Sequence, residues 1–257
     1  MSTGALQPLP PLRTRWLGQQ HEHHESLPST NDRALAWVDA RHGALVTADA
    51  QSHGRGRHGR SWHSPPGANL YASIVLRPPP VQARRPGLAL AVGLGLHAAL
   101  SRRVDGVGLR WPNDVVVAGR KLAGILCEAR WQGEAAHVVV GFGIDVLPQP
   151  WPPELAAIAT SLAQHAEHPI DRATVLVEVL EALEPCLDDF FAGGFAAVRE
   201  RYEASCVSLG RPGWITDADG SRREVLPVAL DADGALLVRG DHEGLVRIDA
   251  GELLPAP

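Results

Sequence analysis

The chain has 257 residues, of which 45% are hydrophobic, so it is long enough to bury a substantial core. Its 24 basic and 29 acidic residues give a net charge of −5, and this balance does not indicate a general polyanion or membrane-surface binder. Three scattered cysteines without a CxxC pair, and no apolar run long enough to span a bilayer, predict a cytoplasmic protein without a disulfide framework.

Structured patterning begins at about Trp16, after a proline-rich flexible leader at residues 1–14. The predicted elements, in chain order, are a strand to about Glu25, a helix with Ser29 or Thr30 as N-cap, strands at 43–51 and 69–78, a helix at 86–103, two strands flanking a turn within 107–132, a strand at 135–146, and a helix at 173–191 interrupted by Pro185. These elements predict one domain over residues 15–206.

Beyond about Cys206 the pattern changes. Four short strands are separated by DADG, DADG and GDHEG, which are hairpin turn signals. The pattern therefore predicts a small β-barrel-like module at residues 207–257, with a small core of its own.

The segment GRGRHGR at residues 54–60 concentrates three glycines and three arginines in an acidic chain. Glycine lets another molecule approach the backbone, and arginine offers a planar, permanently charged set of donors that suits carboxylates and phosphates. The segment therefore predicts a loop that holds a small anion. Taken alone, it is equally typical of a solvated surface turn, and its spacing is neither that of a P-loop nor that of a dinucleotide fold.

Three other features have both a functional and a structural interpretation. His21, His23 and His24 suggest a metal site, but a strand puts the first two on one face and the third on the other, so we expect ordinary strand histidines. WPND at 111–114 is typical of a turn. Lys121 could be a surface lysine. It precedes the apolar strand LAGILCE, however, and a single charge at the start of such a strand indicates a specific role.

Four segments in this order carry a specific resemblance: ESLPSTND (25–32), DAQSHGRGRHGRSWHSPPGANLYASIVLRP (49–78), RWPNDVVVAGRKLAGILCE (110–128) and VVVGFGIDV (138–146). Followed by a small β module, they resemble the biotin protein ligases, in the form that lacks the DNA-binding winged helix. The resemblance covers nearly everything from about residue 16 onward. It implies an α/β catalytic domain, a mixed sheet flanked by helices, and a C-terminal SH3-like barrel.

The resemblance also implies an activity. Members of this family join biotin to ATP, forming biotinyl-5′-AMP and pyrophosphate, and then pass the biotinyl group to one lysine of a biotin carboxyl carrier domain. Biotin, ATP and Mg²⁺ are the expected small molecules, and a carrier domain of a biotin-dependent carboxylase is the expected partner. Neither DNA nor a membrane is expected, and a monomer and a homodimer both stay open.

Two rival functions are weaker. A lipoate or octanoate ligase has the same fold, but those relatives resemble R-R-x-G-G-G with a following His-Asp pair, which this chain lacks. A biotin-sensing repressor needs a winged helix, and only 28 proline-rich residues precede Ser29.

Individual roles follow from the resemblance, position by position. The residues expected to bind biotin are Ser29, Thr30, Asn31, Gln51, Gly54, Arg55, Gly56, Arg57, Lys121 and Gly124. The residues expected to bind ATP are Arg57, Arg60, Trp62, Asn113, Lys121 and Asp145. The catalytic set is Lys121, Arg55 and Asp114, in which Lys121 stabilises charge in the transition state and Asp114 accepts the proton of the incoming lysine. The glycines are expected to let backbone N–H groups close around the acyl phosphate.

Two positions depart from the family pattern. Arg110 replaces the usual lysine before WPND, which preserves the charge. Asp145 stands in GFGIDV where the family usually carries asparagine, and it places an additional carboxylate near the expected ATP site. We expect Asp145 either to contact Mg²⁺ or to pair with a cation such as Arg110.

Overall fold

The computed structural model describes Leu6 and residues 9–216, 220–240 and 244–255. The strands are β1 His21–His24, β2 Ala44–Ala48, β3 Leu70–Leu76, β4 Val107–Arg110, β5 Asp114–Val117, β6 Arg120–Gln132, β7 Ala135–Ile144, β8 Gly213–Thr216, β9 Arg222–Val225, β10 Pro227–Leu230, β11 Leu236–Arg239, β12 Leu245–Ile248 and β13 Glu252–Pro255. The helices are α1 Thr30–Ala36, α2 Pro80–Ala83, α3 Leu88–Leu100, α4 Pro153–Ala156, α5 Arg172–Gly193 and α6 Arg199–Ser205. None of these helices is both long and apolar enough to cross a bilayer.

Seven strands form a central sheet in the order β1-β2-β3-β7-β6-β5-β4. β1 runs parallel to β2, and the other neighbours are antiparallel, so the sheet is mixed. Successive residues of β3 face opposite sides of the sheet: Ile74 belongs to the large core, which α3 and α5 help to form, and Val75 packs in a smaller cluster with residues of α1. Helices on both faces of a mixed sheet confirm the predicted fold class.

The stretch 107–132 holds three strands, whereas the sequence predicts two. The additional turn lies at Ala118 and Gly119, whose φ angles are 49° and 76°. Such a tight turn is usually marked by Asn-Gly or Asp-Gly, so an Ala-Gly pair gives a weak signal.

Helix α5 runs without a break through Pro185, contrary to the predicted interruption. Proline removes one backbone hydrogen bond from a helix, but this helix is held in place by its packing. Leu183 and Leu187, on either side of the proline, are fully buried, and α5 packs along α3. Burial of the apolar face therefore outweighs the local preference.

The predicted flexible leader is wrong for residues 9–14, which pack on helix α5. The backbone N–H of Arg13 donates to Glu181 Oε1 at 3.2 Å, and Leu12 packs against the core. Leu6 is fully buried as well. The proline-rich composition suggested free chain, but the leucines between the prolines bury enough apolar surface to hold the segment.

The C-terminal part forms two three-stranded antiparallel sheets, β10-β11-β12 and β13-β8-β9, which is consistent with an SH3-like module. The described residues between 213 and 248 form five strands where the sequence predicts four, because RREVLPVAL divides at Leu226 into strands of different sheets. The expected separate core is also wrong: Ile215 and Leu236 belong to the same buried cluster as the main sheet. The domain boundary itself stays a prediction.

Candidate active site

A pocket of about 330 Å³ opens where the start of α1, the loop after β2 and the strands β5, β6, β7 and β13 meet. The predicted site residues in its walls are Ser29, Thr30, Asn31, Gln51, Arg55, Gly56, Arg57, Arg60, Trp62, Asn113, Asp114, Lys121, Gly124 and Asp145. Gly54 lies behind the wall, where a Cβ atom would come 2.5 Å from Ser64 Oγ and 2.6 Å from the carbonyl oxygen of Trp62. The folded chain thus brings residues from four distant segments to one cavity.

One end of the pocket is lined by neutral polar groups that hold one another. Gln51 Oε1 accepts the backbone N–H of Thr30 at 2.8 Å and its hydroxyl at 3.1 Å. The hydroxyl oxygen of Ser73 lies 2.8 Å from Thr30 Oγ1 and 2.6 Å from Asn31 Oδ1. Thr30, Asn31 and Ser73 are buried. We call this group, together with Ser29, the neutral end, and its geometry is set by hydrogen bonds within the protein.

The start of helix α1 places the neutral end. Ser29 is the N-cap, as predicted, and its hydroxyl accepts the N–H of Asp32 at 3.5 Å. Asn31 lies against the backbone of β7, because a Cβ atom at Gly141 would come 2.1 Å from Asn31 Oδ1. A glycine is therefore required at position 141 for this close approach.

Arg55 spans the neutral end from the loop side. Its Nη2 atom lies 2.8 Å from Asp32 Oδ1 of α1 and 2.7 Å from Glu128 Oε2 of β6. The same Glu128 oxygen accepts a hydrogen bond from Asn31 Nδ2 at 2.7 Å. Glu128 therefore connects the loop that carries Arg55 to a residue of the neutral end.

The loop at 54–60 is closed on itself by backbone hydrogen bonds. Gly56 N–H donates to the carbonyl of Arg60 at 2.7 Å, and Trp62 N–H donates to that of Gly54 at 2.8 Å. His58 and Gly59 have positive φ angles of 55° and 72°. Because the Gly56 amide already has a backbone partner, we expect the side chains of the loop, rather than this amide, to contact a ligand.

Arg57 and Arg60 carry positive charge to the other end of the pocket. Arg57 donates to Asn113 Oδ1 at 3.0 Å and to the carbonyl of Gly251 at 3.2 Å. Arg60 Nη1 lies 2.8 Å from Glu252 Oε1. Burial lowers the pKa of Arg57, but a guanidinium remains charged at any ordinary pH. Two residues next to or within β13 thus hold the two arginines in place.

Lys121 completes the cationic group. Its Nζ lies 2.6 Å from Asp114 Oδ1 and 5.2 Å from the centre of the Trp62 ring, within the range of a cation–π contact. The indole lies over two strands that approach it closely: a Cβ atom at Gly143 would come 2.4 Å from Trp62 Nε1, and one at Gly124 would come 2.8 Å from Trp62 Cζ3. We call Arg57, Arg60, Lys121 and Asp114 the charged end.

Asp145 lies in the pocket wall but does not pair with Arg110. Its Oδ1 accepts from Asn69 Nδ2 at 2.9 Å and from Gln149 Nε2 at 3.4 Å. Arg110 donates instead to the carbonyl of Gly119 at 2.7 Å, so the predicted ion pair is wrong. Burial raises the pKa of Asp145 well above its ordinary value, and Lys121 opposes that rise.

The Mg²⁺ ligand predicted at Asp145 also fits poorly. Magnesium prefers ionised carboxylates in near-octahedral geometry, whereas Asp145 Oδ1 already accepts two amide donors. The carboxylate of Asp114 is paired with Lys121. Across the described residues, no group of three His, Cys, Asp or Glu side chains could hold an ion. The predicted histidines lie in β1, where ring nitrogens of His21 and His23 are 2.8 Å and 3.0 Å from Thr47 Oγ1.

Comparison with known proteins assigns the family. A model described as the biotin/lipoate A/B protein ligase family matches residues 24–145. The bifunctional ligase/repressor BirA of Bacillus subtilis is 34% identical over 251 residues, which cover 94% of this chain and 76% of the relative. This chain belongs to the biotin/lipoate A/B protein ligase family. Within it, the biotin–[acetyl-CoA-carboxylase] ligase of Paracoccus denitrificans is 31% identical, over 82% of this chain and 91% of the relative.

Solved structures agree with that assignment. The biotin protein ligase from Aquifex aeolicus, in complex with biotin and ATP, matches with a TM-score of 0.80 and 29% identity, over 91% of this chain and 97% of the other. The resemblance to biotin protein ligases is confirmed.

Sequence reasoning missed three residues that hold the pocket together. Ser73 and Glu128 are polar residues in or next to apolar strand segments, and that break in the pattern is the signal that could have found them. Glu252 gives no local signal. It reaches the pocket through a contact between residues 192 positions apart, which only the tertiary structure reveals.

Proposed function

We propose that this protein is an ATP-dependent biotin protein ligase, which forms biotinyl-5′-AMP and then transfers the biotinyl group to a lysine of a biotin carboxyl carrier domain. One observation carries the proposal: a single pocket joins a neutral, hydrogen-bonding end to an end with three basic side chains. The ring system of biotin is neutral and polar, and its carboxylate must meet the triphosphate of ATP. The pocket has matching chemistry at both ends.

The neutral end suits the ureido group of biotin, which has two N–H donors and one carbonyl acceptor. Asn31 and Gln51 each carry both a donor and an acceptor. The hydrogen bonds among Thr30, Ser73 and Asn31 fix these groups before the ligand arrives, so little ordering cost remains at binding. We assign ring recognition to Ser29, Thr30, Asn31 and Gln51.

In the first step, a carboxylate oxygen of biotin attacks the α-phosphorus of ATP. The bond from that phosphorus to the bridging oxygen of the β-phosphate breaks, and pyrophosphate leaves with the electron pair. Both reactants are anionic, so their approach requires neutralisation. We assign that task to Lys121 and Arg57, with Arg60 directed to the phosphates and Asn113 holding Arg57.

In the second step, the amine of the carrier lysine attacks the acyl carbon of the adenylate. The bond to AMP breaks, an amide forms, and one proton leaves the nitrogen. Asp114 is the carboxylate in the pocket that we assign to accept it, and Lys121 at 2.6 Å holds that carboxylate in position. Arg55 closes the neutral end through Asp32 and Glu128.

Mg²⁺ stays a prediction, as an ion that accompanies the phosphates of ATP and neutralises their charge. Among the residues that the structure describes, no group of three His, Cys, Asp or Glu side chains could hold the ion without the nucleotide. The oligomeric state, the acceptor carboxylase and the cytoplasmic location also stay predictions.

The proposal is tested by mixing the purified protein with biotin, ATP, Mg²⁺ and a biotin carboxyl carrier domain. Intact mass of the carrier should rise by one biotinyl group, and omission of the carrier should leave biotinyl-5′-AMP on the enzyme. A lipoate or octanoate substitute should give no product. A carrier whose mass stays constant, with no adenylate formed, would overturn the proposed function.

A further inference from the structure

Asp145 is a carboxyl group in an unusual position. The residue is only 3% exposed, yet it lines the pocket to which we assign ATP. Oδ1 accepts amide hydrogens from Asn69 and Gln149. Among the described residues Oδ2 has no hydrogen-bond partner, so it is the atom left to meet a ligand.

Asn69 fixes the orientation of this carboxyl group. Its Nδ2 donates to Asp145 Oδ1 at 2.9 Å, and its Oδ1 accepts the backbone N–H of Val146 at 3.1 Å. The backbone carbonyl of Asn69 accepts from Arg172 Nη1 at 2.9 Å. The amide of Asn69 therefore cannot turn over without losing two bonds, and Oδ1 of Asp145 stays the acceptor.

The charged and titratable groups around Asp145 come from three elements. Lys121 of β6 and the hydrogen bond from Gln149 favour the ionised form of Asp145 against the effect of burial, but Lys121 forms its ion pair with Asp114. Arg172 of α5 pairs with Asp49 at 3.0 Å. Tyr71 of β3, whose pKa is raised well above its ordinary value by burial, is neutral. No cation of the described residues therefore pairs with Asp145.

An ionised Asp145 would meet a second unfavourable interaction when ATP enters. The triphosphate brings several negative charges into the same pocket, and like charges in a site of low dielectric constant favour protonation of one of them. Desolvation and ligand charge therefore act in the same direction.

We propose that Asp145 works as a neutral carboxylic acid, whose Oδ2–H donates a hydrogen bond to an anionic phosphate oxygen of bound ATP. The inference rests on the proposed function. A neutral acid with Oδ1 as acceptor and Oδ2–H as donor has the same polarity as an asparagine side chain, which is the residue that the family pattern predicts at this position. The carboxyl group thus takes the role of an amide, and it is not a metal ligand.

The proposal makes ATP binding depend on a proton. Since ATP binds the protonated form, the apparent dissociation constant should rise by about tenfold per pH unit above the pKa of Asp145 in the enzyme without ATP. In the same range, binding should take up as much as one proton. Asp145→Asn keeps a donor at the same place but cannot titrate, so it should lack both effects.

Titration calorimetry of ATP binding tests this dependence directly. Wild type and Asp145→Asn are compared at each pH between about 6 and about 9, in two buffers that differ in ionisation enthalpy. The probe is ATP with the alcohol derived from biotin, which lacks the attacking carboxylate and so prevents turnover. Subtracting the proton uptake of Asp145→Asn from that of wild type cancels the contribution from titration of ATP itself. That difference should increase with pH, while the affinity of wild type falls relative to the variant.

Asp145→Ala removes the proposed hydrogen-bond donor and is compared with Asp145→Asn, which keeps a donor at that position. At the acidic end of the range, it should bind ATP about tenfold more weakly than Asp145→Asn, as expected for loss of a hydrogen bond to a charged group. Equal proton uptake by wild type and Asp145→Asn at every pH would overturn the inference. So would a shift of the Mg²⁺ dependence of ATP binding in Asp145→Asn, because that shift indicates a metal ligand. If wild type binds no ATP under any condition, the proposed function fails and the inference fails with it.

Discussion

The two ends of the pocket are built in different ways. The neutral end is a set of hydrogen bonds between side chains of α1, β3 and the segment after β2, to which Asn31 adds one bond to Glu128 of β6. The charged end is assembled from ion pairs and hydrogen bonds between the 54–60 loop, the start of β5 and β6, and β13. The first is fixed by buried neutral groups, and the second by a balance of opposite charges.

This difference has a consequence for ligand binding. Hydrogen bonds between buried neutral groups are insensitive to salt, and their geometry costs little to maintain once the core is packed. Partly exposed ion pairs are weak and exchange readily with solvent or with another anion. Arg60, paired with Glu252, can therefore leave its protein partner for a phosphate. We expect the neutral end to select the ligand and the charged end to respond to it.

The largest effect should come from Lys121→Gln. A preorganised cation beside two reacting anions contributes about 10²- to 10³-fold to the rate, and the variant also leaves Asp114 without its partner. Biotin-dependent exchange of pyrophosphate into ATP should fall by that factor, with the melting temperature little changed. Arg120→Gln is the matched control, since this neighbouring cation does not line the pocket. Equal losses in the two variants would contradict the role of Lys121.

A change at the neutral end should have a smaller effect, of a different kind. Asn31→Ala removes an amide that contacts Ser73 and Glu128, and leaving such partners unpaired costs about 1–3 kcal/mol. The dissociation constant for biotin should rise about 10- to 100-fold, equally at low and high salt. Ser52→Ala, at an exposed serine outside the pocket, is the control. A loss of affinity that disappears at high salt would show that electrostatic attraction, rather than hydrogen bonding, determines biotin affinity at this end.

The smallest effect is expected at the contact between the loop and β13. Arg60 and Glu252 are 54% and 33% exposed in their side chains, so their pair contributes at most about 1 kcal/mol. In Glu252→Gln without ligand, the backbone amide hydrogens of residues 52–61 should exchange with solvent faster than in wild type. Biotin with ATP should slow this hydrogen exchange in both wild type and the variant. Glu224→Gln, which changes an exposed carboxylate elsewhere in the C-terminal part, is the matched control. Exchange that is equally slow with and without ligands would show that the loop does not respond to them.

Much of this architecture could be predicted from the sequence. An alternating pattern indicated β3, a continuous apolar run indicated β7, and a cap at Ser29 or Thr30 indicated α1, because all three depend on local patterns. The GRGRHGR loop and Lys121 were recognisable as placed charge. The packing of residues 9–14, the continuity of α5 through Pro185 and the contact of Glu252 with the loop could not be predicted, since each depends on a distant part of the chain. Asp145 was noticed, but its neutral partners became apparent only in the fold.

The central claim is that one end of the pocket selects biotin and the other end activates it. The most direct test is to measure biotin affinity and biotinyl-5′-AMP formation in parallel for Asn31→Ala and Lys121→Gln. Asn31→Ala should lose affinity, and saturating biotin should restore most of its adenylate formation. Lys121→Gln should bind biotin with a modest loss and form almost no adenylate at any biotin concentration. If saturating biotin restores adenylate formation equally in both variants, or in neither of them, the two ends do not have separate roles in selecting and activating biotin, and the account is contradicted.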